Sequence, residues 1–495
     1  MKQSAQLVFV PSPGIGHLVS TIEFARRLLR RDAGISVVIL LIKFPPPFGD
    51  DIDGYVKSFC GAIDGDDDRR IQLVTLPQLP PPSSSSSPEL PKSAEHFIST
   101  LIEAHRPLVK EAILNLALPS VAGLVVDLFC TSMIDVADEL GIPSYLFFTS
   151  SIAFLGFMLY LPTHHDRVGS VFELTGDPVP VPSYADPFPS RFLPSVFLNK
   201  HGGYSSMTNH GRRFSEVKGI IVNSFAELEP HALKSLISSS SSPPVYPVGP
   251  ILDLKAQGQV KFGKAGGRDE ILRWLDGQPE ESVVFLCFGS MGAFDEAQLR
   301  EIAAGLERTG CRFLWSIRKP PPAEGISLPA DYDGNYGEFL PEGFEGRTKG
   351  TGMICGWAPQ VEVLAHRAVG GFVSHCGWNS TLESVWNGVP MVAWPLYAEQ
   401  QCNAFQLARE LGLAVELRLD YRIKFGGEEV DDGGVVMAEE IEKAVSGVME
   451  KGGAVRKRAK EMGERSRAAV GEGGSSFAAV GKLIEVFYEE LEKKP

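Results

Sequence analysis

Twice along its length this chain alternates short apolar runs with longer stretches of helical periodicity, and that alternation limits the fold more than any single motif does. In the first half, runs at 7 to 10, 35 to 42, 71 to 76, 123 to 128, 144 to 148 and 219 to 223 read as strands. Helices fall near 18 to 31, 95 to 117, 131 to 140 and 227 to 237. The second half repeats the pattern, with strands near 282 to 288, 311 to 317, 353 to 355, 371 to 374 and 391 to 394. Strands that alternate with helices argue for parallel sheets wrapped by helices. The expectation is an α/β chain of two facing Rossmann-like, doubly wound domains.

Length agrees, because 495 residues exceed one ordinary core and suggest two domains of roughly 200 to 250 residues. The serine run at 238 to 242, Pro243-Pro244 and a Gly- and Lys-containing stretch mark a linker at 243 to 267. That linker divides a first domain at 1 to 242 from a second at 268 to 474, with a helical segment at 475 to 495. Pro80-Pro81-Pro82 and the five serines after it read as a surface excursion.

A net charge of -14 argues against a nucleic-acid groove, which needs a clustered basic face. An anionic ligand must therefore be held by local groups. The seven cysteines, Cys60, Cys130, Cys287, Cys311, Cys355, Cys376 and Cys402, are odd in number, scattered and never in a C-x-x-C pair. That suits reduced thiols in the cytoplasm and argues against zinc. The first residues pass straight into a strand without a basic and long apolar leader, so no secretory signal is expected. Residues 144 to 161 approach the length of a membrane span, but Thr149, Ser150 and Ser151 interrupt them where a strand ends and a helix begins. A buried strand and helix are expected there, with no stable membrane insertion.

Residues 357 to 400 carry the densest chemistry, WAPQVEVLAHRAVGGFVSHCGWNSTLESVWNGVPMVAWPLYAEQ. Gly370-Gly371-Phe372-Val373-Ser374 is a strand signal, and His375-Cys376-Gly377-Trp378-Asn379-Ser380 runs from it into the helical pattern that begins at Thr381. A strand, a small-residue turn and a new helix N-terminus make an anion site: unpaired N–H groups and the positive end of the helix dipole point out of the turn. A phosphate or diphosphate is the natural guest. A plainer reading stays open for one pair, since Ser380-x-x-Glu383 also fits a capping box that only starts a helix.

This window resembles the signature box of the plant family 1 UDP-sugar-dependent glycosyltransferases. Trp357, Ala358, Gln360, His375, Trp378, Asn379, Ser380, Glu383, Glu399 and Gln400 stand where the family places donor-contacting residues. The resemblance extends to Pro13-Gly14-Ile15-Gly16-His17, to Phe288-Gly289-Ser290 and to Gly-Ile-Ile-Val-Asn-Ser-Phe at 219 to 225. It implies a GT-B fold whose final helix crosses back to the first domain, with UDP-glucose as co-substrate and no cofactor. Trp357 is then the platform for uracil, an aromatic contact worth about 1 to 3 kcal/mol by analogy with base stacking. Gln360 and Glu383 bond the ribose, while His375, Asn379, Ser380 and Ser290 cradle the diphosphate. Trp378, Glu399 and Gln400 face the sugar. A glutamine at the end of the box accompanies glucose as donor in the family.

His17 follows the first strand directly, and Asp127 ends the strand run at 123 to 128, so both belong to the carboxyl edge of one sheet, where open α/β folds place ligands. An imidazole with an unperturbed pKa of about 6.5 suits the removal of an acceptor hydroxyl's proton, and a carboxylate behind it fixes its tautomer. In the family the corresponding His and Asp form this dyad. The glycines near His17 lack the third member of a dinucleotide fingerprint, because position 19 is valine.

Asp64-Gly65-Asp66-Asp67-Asp68 contains a D-x-D pattern, but it lies in an acidic run far from the donor box and reads as a solvated loop. No metal is expected. Displacement should be direct and inverting, since a base is present and no enzyme nucleophile is needed. On the acceptor side, Ile15, Phe129, Phe148 and Phe197, with Phe154, Phe157, Met158 and Phe192 nearby, fall in segments that line the family's acceptor pocket. An aromatic, apolar cleft suits a small phenolic or flavonoid-type acceptor. A different UDP-sugar or a terpenoid acceptor, and a non-catalytic nucleotide-sugar-binding protein, are the alternatives. The chain is expected to act as a monomer.

Overall fold

The structure is a computed structural model that describes residues 4–45, 50–61, 66–79, 93–116, 118–174, 177–239, 242–255, 267–321, 329–332, 334, 336–423 and 433–493. Its first sheet holds seven strands: β1 (Ala5–Val10), β2 (Ile35–Leu41), β3 (Ile71–Thr75), β4 (Val121–Asp127), β5 (Ser144–Phe148), β6 (Gly219–Val222) and β7 (Val245–Pro247). They pair in the order β3-β2-β1-β4-β5-β6-β7, all parallel. A six-stranded sheet follows, built from β8 (Val283–Cys287), β9 (Arg312–Ser316), β10 (Gly352–Cys355), β11 (Val369–Ser374), β12 (Met391–Ala393) and β13 (Ala414–Glu416). Its order is β10-β9-β8-β11-β12-β13, again all parallel. Every residue of β4, β5, β8 and β11 is buried, as a sheet covered on both faces requires.

Both sheets reverse their winding at a central pair of strands, β1 beside β4 and β8 beside β11. Register then decides which residues meet at the carboxyl edge. Val10 pairs with Val126, which sets the turn after β1 beside Asp127. Cys287 pairs with Ser374, which sets Phe288-Gly289-Ser290 beside His375. Open α/β sheets bind ligands at such switch points.

Two expectations need correction. The helix expected at 95 to 117 is two, Ala94–Ala104 and Arg106–Leu114, because Pro107 lies in the first turn of the second and has no N–H to continue the ladder. The linker expected from 243 contains β7, which pairs with β6 as the last strand of the first sheet. Pro247 is tolerated there because an edge position does not need its N–H. The serine- and proline-rich composition around that strand hid it. The expected surface excursion at 80 to 87, and 256 to 266 of the linker, lie outside the described residues.

Residues 144 to 161 form β5 and the start of helix Ile152–Val168, whose first seven residues are all buried. Among the described residues no helix is long and apolar enough to cross a membrane. Helix Ala454–Val470 packs on helix Trp378–Asn387 of the second half, and helix Ser475–Glu492 then returns to pack on β1, β4, β7 and helix Ile15–Arg31. Val480, Leu483, Ile484, Phe487 and Leu491 join the core of the first sheet's outer face. Phe487 is fully buried and meets Tyr145 edge-on at 4.9 Å. Phe487→Ala should therefore destabilise the protein by about 3 to 5 kcal/mol, the range for truncating a buried phenylalanine. Denaturant unfolding followed by far-UV circular dichroism checks this, and a loss below about 1 kcal/mol would show that the returning helix is not part of the folding core.

Candidate active site

The turn after β1 is built for close approach. Gly14 holds φ 140, a conformation that side chains rarely adopt, and it begins helix Ile15–Arg31 with no side-chain cap. His17 lies in the first turn of that helix. Its Nδ1 is 2.9 Å from Asp127 Oδ2, and Thr149 Oγ1 is 3.3 Å from the same nitrogen. Ser12 donates to the other oxygen of Asp127 at 2.5 Å. Asp127 is thus satisfied on both oxygens and 1% exposed in its side chain, while the His17 side chain is 29% exposed. Burial works against a charged imidazole, but the charge and hydrogen bond of Asp127, with a further pull from Glu399, outweigh it and raise the pKa of His17. With Nδ1 held by Asp127, Nε2 is left without a partner among the described residues.

Across the cleft, Gly377 caps helix Trp378–Asn387 and no side chain accepts from its first turn. The capping-box alternative for Ser380 and Glu383 is therefore wrong: Ser380 is the third helical residue, and the Glu383 carboxylate faces Gln360 instead. Gln360 Nε2 donates to Glu383 Oε2 at 2.7 Å and to Ser380 Oγ at 2.8 Å, so these three residues form one cluster. Burial lifts the Glu383 carboxyl to about 7, against the pull of Gln360. Cys376 takes φ 62, held by Ser374 Oγ on its N–H at 3.1 Å and by Asn403 Nδ2 on its carbonyl at 3.0 Å.

His375 is 6% exposed and packs against Gly289, where a Cβ would stand 2.8 Å from its Nε2. Among the described residues its buried Nδ1 has no hydrogen bond of good geometry, and burial, against the pull of the Cys287 backbone, pushes its pKa down to about 4. That shift favours the neutral imidazole near pH 7. It can offer an N–H rather than a positive charge. Ser290 is exposed on the adjoining turn, Trp357 is half-buried just beyond β10, and Ala358 is buried beside it.

The two turns meet. Asn379 Nδ2 donates to the Gly16 carbonyl at 3.4 Å, and Ser20 Oγ donates to Asn379 Oδ1 at 3.3 Å. Ser150 donates to Glu399 at 3.4 Å and Ser151 to Asn403 Oδ1 at 3.2 Å. Ser12, Thr149, Ser150, Asn223 and Asn403 were not assigned to the site from sequence. All but Asn403 follow directly on β1, β5 or β6, so the rule that ligands gather at carboxyl ends of strands was the signal that could have found them.

Several expected residues are placed otherwise. Phe148 and Phe197 are fully buried, within a cluster that also holds Phe154, Phe157, Phe172 and Phe214. They are core, not cleft lining, because several elements converge on them. Phe154, Phe157, Met158 and Phe192 are buried likewise, whereas Ile15 and Phe129 keep partial exposure. Trp378 is 3% exposed, and its indole N–H donates to the Asn223 carbonyl at 2.6 Å, which makes it a strut between the halves. Gln400 is 3% exposed and accepts from the Leu396 and Tyr397 N–H groups at 3.0 and 3.1 Å, so it shapes the loop that presents Glu399.

In the D-x-D run, Asp68 is bound by Arg26 at 2.7 and 3.0 Å and Asp67 by Arg70 at 2.7 Å, while residues 64 and 65 lie outside the described ones. Among the described residues no group of three His, Cys, Asp or Glu side chains is arranged to hold a metal.

Comparison with known proteins agrees with this geometry. A family profile described as UDP-glucoronosyl and UDP-glucosyl transferase matches residues 225–421. The chain is 49% identical to UDP-glycosyltransferase 71K1 of Malus domestica over 98% of each chain. It is 47% identical to UDP-glucose flavonoid 3-O-glucosyltransferase 6 of Fragaria ananassa, over 98% of this chain and 99% of that one. Among solved structures, that of Medicago truncatula UGT71G1 complexed with UDP-glucose superposes with a TM-score of 0.86 at 45% identity and covers 99% of both chains. Two switch points facing each other across one cleft, in a chain matched along nearly its whole length, identify it as a member of the UDP-glycosyltransferase family, an enzyme of the GT-B fold.

Proposed function

We propose that this enzyme transfers glucose from UDP-glucose to a hydroxyl of a flavonoid or other small phenolic, with inversion, and with His17 as general base oriented by Asp127. The observation that carries the reading is the 2.9 Å contact of His17 Nδ1 with Asp127, on a helix start that Asn379 of the opposite turn touches. The donor class is supported by the Medicago truncatula structure, which holds UDP-glucose, and the acceptor class by the Fragaria ananassa relative named for flavonoid glucosylation.

The step balances with side chains already in place. Asp127 keeps the Nδ1 proton of His17 in hydrogen bond, so Nε2 accepts the proton of the acceptor hydroxyl as its oxygen attacks the anomeric carbon. The bond from that carbon to the diphosphate breaks, and UDP leaves with the electron pair. The open N-terminus of helix Trp378–Asn387, Asn379, Ser380, Ser290 and the neutral imidazole of His375 supply donors to the departing charge. Trp357, Ala358, Gln360 and Glu383 take the nucleoside, and Glu399 faces the sugar, which Gln400 and Trp378 serve by holding the loop and the seam. No metal is assigned, since Asp67 and Asp68 are engaged by arginines. On this reading the first half takes the acceptor and the second the donor, in a cytoplasmic monomer.

His17→Ala should lower kcat/KM by about 10² to 10⁴, the usual worth of a general base, and leave UDP affinity unchanged. UDP release from UDP-glucose with a panel of phenols, beside titration calorimetry with UDP, reads both. A variant that glucosylates at the parent rate would show that the base is elsewhere.

Asp127→Asn removes the charge and the bond that raise the pKa of His17. The acid limb of the pH–rate profile should move to lower pH while the plateau falls, by up to about 10⁴ by analogy with hydrolase triads. A limb that stays in place would separate Asp127 from the titrating group.

Glu383 predicts a pH effect on the unliganded protein. Its folded pKa of about 7 lies above the ordinary value of 4.5, so the stability it contributes is present below 4.5 and is lost as pH rises through about 7. Glu383→Gln should flatten the fall of Tm across that interval. An unchanged slope would exclude Glu383 as its source.

A further inference from the structure

Beside the acceptor side of the cleft, helix Gly203–Arg213 carries a histidine that the proposed reaction does not use. His210 is 6% exposed, yet both ring nitrogens are occupied. Nδ1 lies 2.7 Å from Thr131 Oγ1, and Nε2 lies 2.8 Å from Ser99 Oγ. The Ser99 hydroxyl is already directed, because it donates to the Glu95 carbonyl at 2.7 Å. Toward His210 it must accept. That makes Nε2 the N–H nitrogen and leaves Nδ1 to accept the Thr131 proton. With a neutral imidazole the chain of hydrogen bonds runs in one direction, from Thr131 through His210 and Ser99 to Glu95. Burial, with repulsion from Arg213, pushes the pKa of His210 down to about 4 against a pull from Asp127, which maintains that state.

What this chain holds is the loop that leaves β4. Asp127 begins the loop, and the Cys130 N–H returns to the Asp127 carbonyl at 2.8 Å. Phe129 is half-buried and sets its ring edge-on to His210, 5.7 Å between centroids at 86°. Phe129 is therefore two residues from the carboxylate behind His17 and is braced by a side chain from another helix. His96 Nδ1 lies 3.1 Å from Ser206 Oγ and ties helix Ala94–Ala104 to helix Gly203–Arg213, so His210 stands on a fixed support.

We infer that His210 is a positioning residue that sets acceptor selectivity: by holding Thr131 and bracing Phe129, it fixes how an aromatic acceptor lies beside His17. The inference rests on the acceptor-side reading given above. It separates the two substrates, because nothing in this chain of bonds touches the donor turn.

Thr131→Val keeps the side-chain shape and removes the proton that Nδ1 accepts. His210→Leu removes both bonds, and His210→Gln keeps one donor and one acceptor. Steady-state kinetics with UDP-glucose and phenols of graded ring size should show the acceptor KM raised about 3- to 10-fold in Thr131→Val and His210→Leu, as the loss of one or two buried hydrogen bonds implies. The order of preference among phenols should change. The KM for UDP-glucose and the acid limb of the pH–rate profile should keep their parent values, and His210→Gln should recover most of the acceptor KM. An acceptor KM and order equal to the parent's in Thr131→Val overturns the inference whether or not His210→Leu folds. A parallel rise in both substrate KM values overturns it as well, since general loosening would do that. Failure of the underlying reading is distinguishable: the parent enzyme then turns over no phenol, and the inference falls with it.

Discussion

Two helix N-termini, each left without a side-chain cap, open into one cleft from opposite halves of the molecule. Among the described residues no side chain caps their first N–H groups, so the positive ends of their dipoles are left to water or a ligand. The second turn also carries strain, since a cysteine in the left-handed region costs about 1 to 2 kcal/mol. Ser374 and Asn403 hold it there, and Asn403 also accepts from Ser151 of the first half. The shape of the second turn and its distance from the first domain are thus set by shared side chains.

That distance depends on a seam with a polar and an apolar part. Glu229, 1% exposed, accepts from the Ile152 and Ala153 N–H groups at 2.9 and 3.0 Å, from Ser224, and from Gln406 of the second half at 3.0 Å. A buried carboxylate needs such a set of donors, and the helix start at Ile152 favours a negative charge besides. Phe405, from the segment that bears Gln406, inserts among Tyr184, Phe188 and Phe192 at 5.8, 5.0 and 5.9 Å. The apolar contact supplies most of the attraction, and the polar one fixes the register, because an unpaired Glu229 would be expensive.

Three histidines near the cleft show how environment divides one residue type into different tasks. Burial opposes the charged form of each. His17 alone has a carboxylate bonded to its ring, and only its pKa rises, while those of His375 and His210 fall to about 4. One raised and two lowered pKa values follow from which partner, if any, stands behind the ring.

Local chemistry was legible in the residues alone. Apolar runs stop where a polar side chain must sit at a sheet edge, so the ends of β4 and β11 and the turn after β1 could be placed, and His17 could be matched to Asp127 by the common edge of one sheet. The signature window could be placed at the end of β11 and the helix after it for the same reason. Burial and partnership could not be read this way, because they depend on contacts between segments far apart in the chain. Periodicity does not distinguish Phe129, which keeps partial exposure, from Phe148 and Phe197, which are enclosed; that difference comes from helices packing over the latter. Composition marked Pro243-Pro244 as linker, and only pairing with β6 made Val245–Pro247 a strand. Trp378 and Gln400 read as ligand contacts until the opposite domain and their own loop claimed their hydrogen bonds. Sequence determined which groups are available at the strand ends, whereas the tertiary structure decided which of them remain free, since a side chain already satisfied by the protein has nothing left to offer a substrate.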